Sequence, residues 1–199
     1  MFIHVAARME ESKDLLSEAD RAVGDGDHGV GMARGFVSVR QKLQEHTFDS
    51  MDEVLKAVGM ALLTSVGGAA GAVFGTFFLG AARNLKGQQV FDSQALSLML
   101  VDGLQAVQER GKAQVGDKTM VDALAPAAAQ SRIDSAAPLH QTLPSIAEAA
   151  RQGMEKTKHM VATVGKARTL GERALGHPDP GAISTYLILK FMAEFVARP

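Results

Sequence analysis

Asp20-Arg21-Ala22-Val23-Gly24-Asp25-Gly26-Asp27-His28-Gly29-Val30-Gly31 packs three carboxylates, one histidine and four glycines into twelve residues. Asp side chains this close repel when all are ionised, and either full solvation or a bound cation relieves the repulsion. The stretch is unlike a core and poor helix material, so it divides one helix from the next. On its own it fits a solvated Asp-Gly turn as well as a cation site. His28 reads first as a capping or packing residue and second as a ligand.

Outward from this break, apolar residues recur at three and four, and no segment alternates by two. An opening helix runs to about Leu16, and Met32, Phe36, Val39 and Leu43 form one face of the helix after the break. Ser50 and Glu53 give an S-x-x-E capping pattern ahead of Val54, Leu55, Val58 and Leu62, a helix running to about Ser65. Ala69 to Lys86 is glycine- and alanine-rich around Phe74, Phe77, Phe78 and Leu79, with Gly87 as its stop.

A fifth helix opens at Asp92 or Ser93, carries Leu96, Leu100, Leu104 and Val107, and stops at Gly111. Thr119 with Asp122 caps a sixth, which Pro126 should kink or end. Ser131 to Leu143 reads as a surface connection, and Pro144 suits the first turn of a seventh helix with Ile146, Ala150 and Met154 on one side. Gly165 to Gly181 is long, charged and glycine-rich, the kind of loop that is usually functional. Asp179 and Pro180 then open the last helix, with Ile183, Leu187, Phe191 and Phe195. The expectation is an all-α fold, an eight-helix antiparallel bundle or barrel, in one domain over residues 1–199.

Composition narrows the class of partner. The formal net charge of −1 gives no basic excess for nucleic acid. With no cysteine, any metal must be held by oxygen or imidazole, and a reducing cytoplasm fits. The N-terminal residues carry no secretory leader pattern. Residues 57–82 lack a formal charge, which raises a membrane span, but Gly67, Gly68 and Gly71 interrupt the run and two core helices meeting at a glycine turn fit better. No membrane and no nucleic acid are therefore expected as partners.

Gly24-x-Gly26-x-x-Gly29 matches the dinucleotide fingerprint in form only, since no strand precedes it and two of its x positions are Asp. An EF-hand fails because Phe36 stands where the bidentate Glu is needed, and no phosphate-loop pattern with its lysine occurs. Three hard oxygen ligands spaced D-x4-D-x-D remain, and Mg²⁺ takes one or two carboxylates while leaving positions for water and phosphate. Three further loops add to this: Gly67-Gly68-Ala69-Ala70-Gly71 before a helix N-terminus, Gly116-Asp117-Lys118-Thr119, and Lys166, Arg168 and Arg173 in the late loop. Each is weak alone, but together they describe one rim around a bundle.

With these loops written out, the chain resembles the L subunit, the ADP-binding subunit, of dihydroxyacetone kinases. The matching pieces are G-D-G-D-H-G with the upstream Asp20, S-V-G-G-A-A-G-A-V-F-G-T-F-F, R-G-K-A-Q-V-G-D-K-T-M and L-G-E-R-A-L-G-H-P-D-P-G-A, in family order from residue 20 to about 182. The resemblance implies an eight-helix barrel with the nucleotide at one end and a hydrophobic plug towards the other. It implies that Asp20, Asp25 and Asp27 bind two Mg²⁺ ions bridging the phosphates of ADP or ATP. It also places His28, Gly29, Val30, Gly31, Ala69, Ala70, Gly111, Met120, Lys166, Asp179, Pro180 and Gly181 along the nucleotide.

Four positions depart from the family pattern: Ala70 often corresponds to Ser, Ala72 to Pro, Gly31 to Asn and Lys166 to Arg. Hydroxyl and amide donors are lost, and a forked guanidinium becomes a point charge. The activity implied is phosphoryl transfer from Mg-ATP to dihydroxyacetone held on a separate K subunit. A chain of this size resembles the multi-subunit form, in which a phosphoryl-donor subunit of a phosphoenolpyruvate-dependent phosphotransferase system recharges bound ADP. The alternatives are a nucleotide-state reporter that binds a transcription regulator, or a kinase subunit for another short ketose such as erythrulose.

Overall fold

The computed structural model describes residues 1–198 and is helical throughout, with no strand among them. The α-helices are α1 (Phe2–Glu11), α2 (Lys13–Arg21), α3 (His28–Glu45), α4 (Met51–Ser65), α5 (Gly68–Ala81), α6 (Ser93–Gly111), α7 (Met120–Ile133), α8 (Leu139–Lys156) and α9 (Pro180–Val196). Short 3₁₀ segments cover Thr157–His159 and Lys166–Ala174. Around the barrel α1 packs on α3, each of α3 to α8 packs on its successor, and α9 packs back on α1. Eight staves therefore close a ring, as expected, and α2 is a ninth, short helix tucked at one end against α3 and α9.

Sequential neighbours joined by short connections run antiparallel. One end thus carries residues 22–27, 66–67, 112–119 and 157–179, and the opposite end carries 46–50, 82–92 and 134–138. Apolar faces meet inside: Met9, Met32, Phe36, Leu62, Phe78, Leu96 and Met99 are buried, each at 1% exposure or less. Phe77 and Phe78 meet edge to face at 4.9 Å, and Phe2 sits between Phe78 and Phe91 at 6.4 and 5.7 Å, plugging the end away from residues 22–27. Among the described residues no helix is long and apolar enough to cross a membrane, and α4 and α5 meet at Val66 and Gly67 instead.

Several boundaries differ from those expected. The opening helix does not simply end near Leu16; it breaks at Ser12, whose hydroxyl and amide both donate to the Arg8 carbonyl, at 2.9 and 3.2 Å. That local competition ends α1. The chain resumes as α2 and reaches Arg21, which puts Asp20 on a helix rather than in the loop. Ser50 and Glu53 do not form a capping box: Ser50 Oγ donates to Asp52 Oδ1 at 2.6 Å, and Glu53 accepts from the Asp49 amide at 3.0 Å. The hydroxyl is turned to that carboxylate, and Ser50 Oγ accepts from no helix amide.

Helix α5 stops at Ala81 rather than Lys86. Gly87 lies beyond it at φ 74° and donates its amide to Asp52 Oδ1 at 3.1 Å. Pro126 does not end α7, and Pro144 sits in the second turn of α8 rather than the first. Its ring leaves the His140 carbonyl without the usual helix donor, and packing of the helix carries that loss. The Ser131–Leu143 connection shrinks to Asp134–Pro138.

Candidate functional site

Four helices, α3, α5, α7 and α9, begin at the same end of the barrel, because alternate staves point the same way. Their first residues surround a cavity of about 640 Å³. The first turn of α5 has no side-chain cap, and all four N-termini turn the positive end of a helix dipole to the cavity, so it favours an anion. Its floor is apolar, with Val73, Phe74, Val107 and Val121.

Two of these entries are built by side-chain caps. Thr119 and Asp122 form the expected capping box, in which Asp122 Oδ2 accepts from the Thr119 amide at 2.7 Å and the Thr119 hydroxyl accepts from Val121 at 3.1 Å. Asp179 Oδ2 accepts from the Ala182 amide at 2.8 Å, and Pro180 occupies the first helical position. Burial pushes the Asp179 carboxyl up to about 7, with Asp122 adding to the rise and the Ala182 amide opposing it.

The acidic loop is short and folds tightly over α2. Gly26 turns at φ 79°, where a side chain is strained, and a Cβ on Gly24 would lie 2.5 Å from Asp20 Oδ1 and displace that carboxylate. Asp20, Asp25 and Asp27 each offer a carboxylate oxygen, and these lie within 4.8 Å of one another. Asp20 is buried and the other two are exposed. Asp20 Oδ2 also accepts from the His28 amide at 3.2 Å, which couples the end of α2 to the start of α3.

His28 is buried, with Nε2 2.8 Å from Ser184 Oγ of α9 and its ring 6.4 Å from Phe74. Burial holds its pKa below the ordinary value, against the pull of Asp20 and Asp27, so the ring is neutral at pH 7. It ties three helices together beneath the carboxylates.

Across the mouth, Lys166 Nζ lies 2.5 Å from Asp25 Oδ2 and 3.5 Å from Asp27 Oδ2. The ammonium lowers the Asp25 pKa, and Asp25 in turn raises that of Lys166. The donor set fits a hard divalent cation: three carboxylate oxygens converge, none is a sulfur or imidazole ligand, and two face solvent where water or phosphate can complete the coordination.

Of the residues expected at the site, Asp20, Asp27, His28, Val30, Gly31, Ala69, Ala70, Gly111, Met120, Lys166, Asp179, Pro180 and Gly181 line the cavity. Asp25 stands at the mouth beside its partners. Gly29 lies elsewhere, buried against the Lys13 carbonyl and Ser17 of α2, where it allows close helix packing. Arg168 and Arg173, grouped with Lys166 in the sequence, are exposed and do not reach the wall.

Arg34 was missed. It lines the cavity and donates from Nε to the Ser65 carbonyl at 2.6 Å and from Nη2 to the Val66 carbonyl at 2.7 Å, fixing the turn that starts α5. Its one sequence signal is its place one turn after Val30 on α3. The apolar floor was legible only as core.

Residues 22–194 match the model of the DAK2 domain. The chain is 42% identical over 185 residues to the ADP-binding subunit of the PEP-dependent dihydroxyacetone kinase of Escherichia coli, covering 90% of this chain and 87% of that one. It is 38% identical over 194 residues to the corresponding subunit of the second such kinase of Listeria innocua, covering 96% and 89%. The dihydroxyacetone kinase of C. freundii, solved in complex with AMP-PNP and Mg²⁺, superposes with a TM-score of 0.76 at 28% identity. That match covers 98% of this chain, which spans 33% of the longer kinase. A family model over most of the length, together with relatives this similar from end to end, shows that the chain belongs to the DAK2 domain family, with the dihydroxyacetone kinase L subunits.

Proposed function

We propose that this chain is the nucleotide-carrying phosphotransfer subunit of a dihydroxyacetone kinase. The observation that carries the reading is the meeting of three carboxylates with four helix N-termini at the mouth of one cavity. A polyphosphate would be repelled by the carboxylates alone, and the helix ends alone would hold it without orienting it. Divalent metal between them reconciles both.

Asp20, Asp25 and Asp27 would hold the metal, two Mg²⁺ in this reading. The α5 N-terminus at Gly68, Ala69 and Ala70 and the Lys166 ammonium would take phosphate oxygens. Val30, Gly31, Gly111, Met120 and the Asp179–Gly181 turn would line ADP or ATP, with the apolar floor available to the base. When bound, the metal neutralises charge on the phosphates and so lowers the barrier to phosphoryl transfer. The protein's share is positioning and exclusion of water: the His28 amide braces the buried Asp20 carboxylate, Ser184 holds the His28 ring, and Arg34 braces the α5 entry.

In the reaction the bond between the terminal phosphorus and its bridging oxygen breaks, a bond forms to a hydroxyl oxygen of dihydroxyacetone, and the hydroxyl proton is released. The K subunit would present the ketose, and a phosphoryl-donor subunit of a phosphotransferase system would return ADP to ATP in place. Residues 1–199 would act as one domain.

Reconstitution tests this. The chain, a K subunit, dihydroxyacetone, the phosphoenolpyruvate relay proteins and a trace of ADP should yield triose phosphate, and omission of the chain should abolish it. Absence of product both from the relay and from added ATP would remove the reading.

A further inference from the structure

Lys118, in the loop between α6 and α7, has only 1% of its surface exposed although it is charged. Its backbone lies in the left-handed region at φ 60°, which a residue with a side chain holds only when its surroundings compensate. The compensation is visible at the other end of the side chain. The ammonium donates to the Thr157 carbonyl and to the His177 carbonyl, at 2.6 Å each. Those two carbonyls stand at the start and near the end of the connection between α8 and α9. Between them in sequence lie Val164, Gly165, Lys166 and Ala167 of the cavity wall.

One side chain therefore draws the neck of the connection shut. Weaker ties surround it: the Asp179 amide donates to Thr157 Oγ1 at 2.9 Å, and the Gly176 amide to the Lys158 carbonyl at 2.8 Å. The Thr163 hydroxyl donates to the Asp117 carboxylate, next to Lys118 in sequence. Burial pulls the pKa of the ammonium below the ordinary lysine value, and the neighbouring Asp179 and Asp122 side chains oppose that shift. Hydrogen bonds from a charged donor are stronger than those between neutral groups. The rest of the connection is 3₁₀ turns broken at Gly171, with little regular structure to hold it in place.

We propose that Lys118 is a positioning residue whose ammonium locks the neck of the 157–179 connection, holding Lys166 and Asp179 at the cavity and setting how fast a bound nucleoside diphosphate leaves. The ligand in this statement rests on the function proposed above; the lock itself rests on the hydrogen bonds alone.

The test compares wild type, Lys118→Met, Lys118→Gln and Ser93→Ala. The methionine keeps the buried stem and removes the donors, and the glutamine keeps a neutral donor. Ser93→Ala removes the 2.6 Å bond to the Ala137 carbonyl at the opposite end and controls for general destabilisation. Release of methylanthraniloyl-ADP in Mg²⁺ is followed by stopped flow, and amide exchange is measured without nucleotide.

Lys118→Met should release the probe at least about tenfold faster and expose the Gly176 and Asp179 amides about tenfold faster, consistent with loss of two charge-assisted bonds. Exchange in α3 to α6 should not change, Lys118→Gln should fall between, and Ser93→Ala should show neither effect. If the methionine variant does not fold, the glutamine variant carries the same readings. Release at the wild-type rate, or faster exchange spread evenly through the barrel, would overturn the lock. Should wild type take up no labelled ADP, the proposed function falls while the exchange data still judge the lock: loosening confined to 157–179 supports it, and unchanged protection there overturns it.

Discussion

At the end of the barrel away from the cavity, Asp52 accepts from Ser50 Oγ at 2.6 Å, Lys56 Nζ at 2.7 Å and the Gly87 amide at 3.1 Å, and Asp134 accepts from Gln130 at 2.8 Å and Ser145 at 2.5 Å. At the cavity end Asp20, Asp25 and Asp27 crowd within 4.8 Å, and the donors they receive are the His28 amide and Lys166, which is remote in sequence. Each far-end carboxylate is satisfied by groups of the chain itself and fastens a connection. The near-end carboxylates are left with coordination to spare. Charge completed internally serves the fold, and charge left incomplete is available to a ligand.

The largest effect expected from breaking this contrast is at the near end. Asp25→Asn or Asp27→Asn should weaken Mg²⁺-dependent ADP binding by at least about 100-fold, since even outer-sphere partners of a metal site are worth 10- to 100-fold. Both side chains are exposed, so thermal unfolding without nucleotide should barely move. Calorimetric titration beside a melting curve checks both halves. A lower melting temperature with unchanged ADP affinity would reverse the assignment.

Asp52→Asn is the mirror experiment. Its donors hold the Asp52 pKa well below the ordinary carboxylate value. A lowered folded-state pKa contributes stability that is present above the unfolded value and is lost as the pH falls through the folded one. The variant should therefore melt several degrees lower at neutral pH, converge on wild type in strong acid, and bind ADP normally. Melting curves from acid to neutral pH, with one titration at pH 7, decide it.

Asp179 sharpens the comparison because its shift has the opposite sign. Raised to about 7, it keeps a proton in the folded state that the unfolded chain has already released, so stability falls as the pH rises from the ordinary carboxylate value towards 7. Asn is an equally good helix cap, and Asp179→Asn should remove that part of the slope and stabilise the nucleotide-free protein at pH 7. Denaturant midpoints of both proteins between pH 4 and pH 8 measure the difference.

Gly111→Ala should have the smallest effect. A Cβ there meets no protein atom within 4 Å, yet the residue lines the cavity. Stability should stay level or rise by up to about 1 kcal/mol, while ADP affinity drops a few-fold. Equal affinity would place the ligand away from the α6 terminus.

Much of this division could be read before the fold was known. The Asp20, Asp25 and Asp27 spacing, the Thr119–Asp122 box and the Asp179–Pro180 entry are local signals; the two caps form as expected, and the three carboxylates converge although Asp20 stands on α2 rather than in the loop. What escaped depends on partners distant in sequence or on competition within one turn. The break at Ser12 arises because two donors of one residue seek one carbonyl. Ser50 fails as a cap because Asp52 is already anchored by Lys56 and Gly87. Arg34 carries no motif, and Lys118 stands out only as part of the Gly116–Thr119 turn, since nothing in the sequence says that their donors meet Ser65 and Val66, or Thr157 and His177. The convergence of four helix N-termini likewise comes from ring closure, which no single motif contains.

The central claim is that metal joins the carboxylates of Asp20, Asp25 and Asp27 to a nucleotide polyphosphate. Native mass spectrometry of the protein loaded with ADP and Mg²⁺ and then desalted tests it most directly. The account predicts a species carrying one ADP with two Mg²⁺, as in two-metal phosphate sites, that disappears on EDTA treatment and in Asp25→Asn. Retention of ADP to the same extent after EDTA, or in that variant, would contradict it.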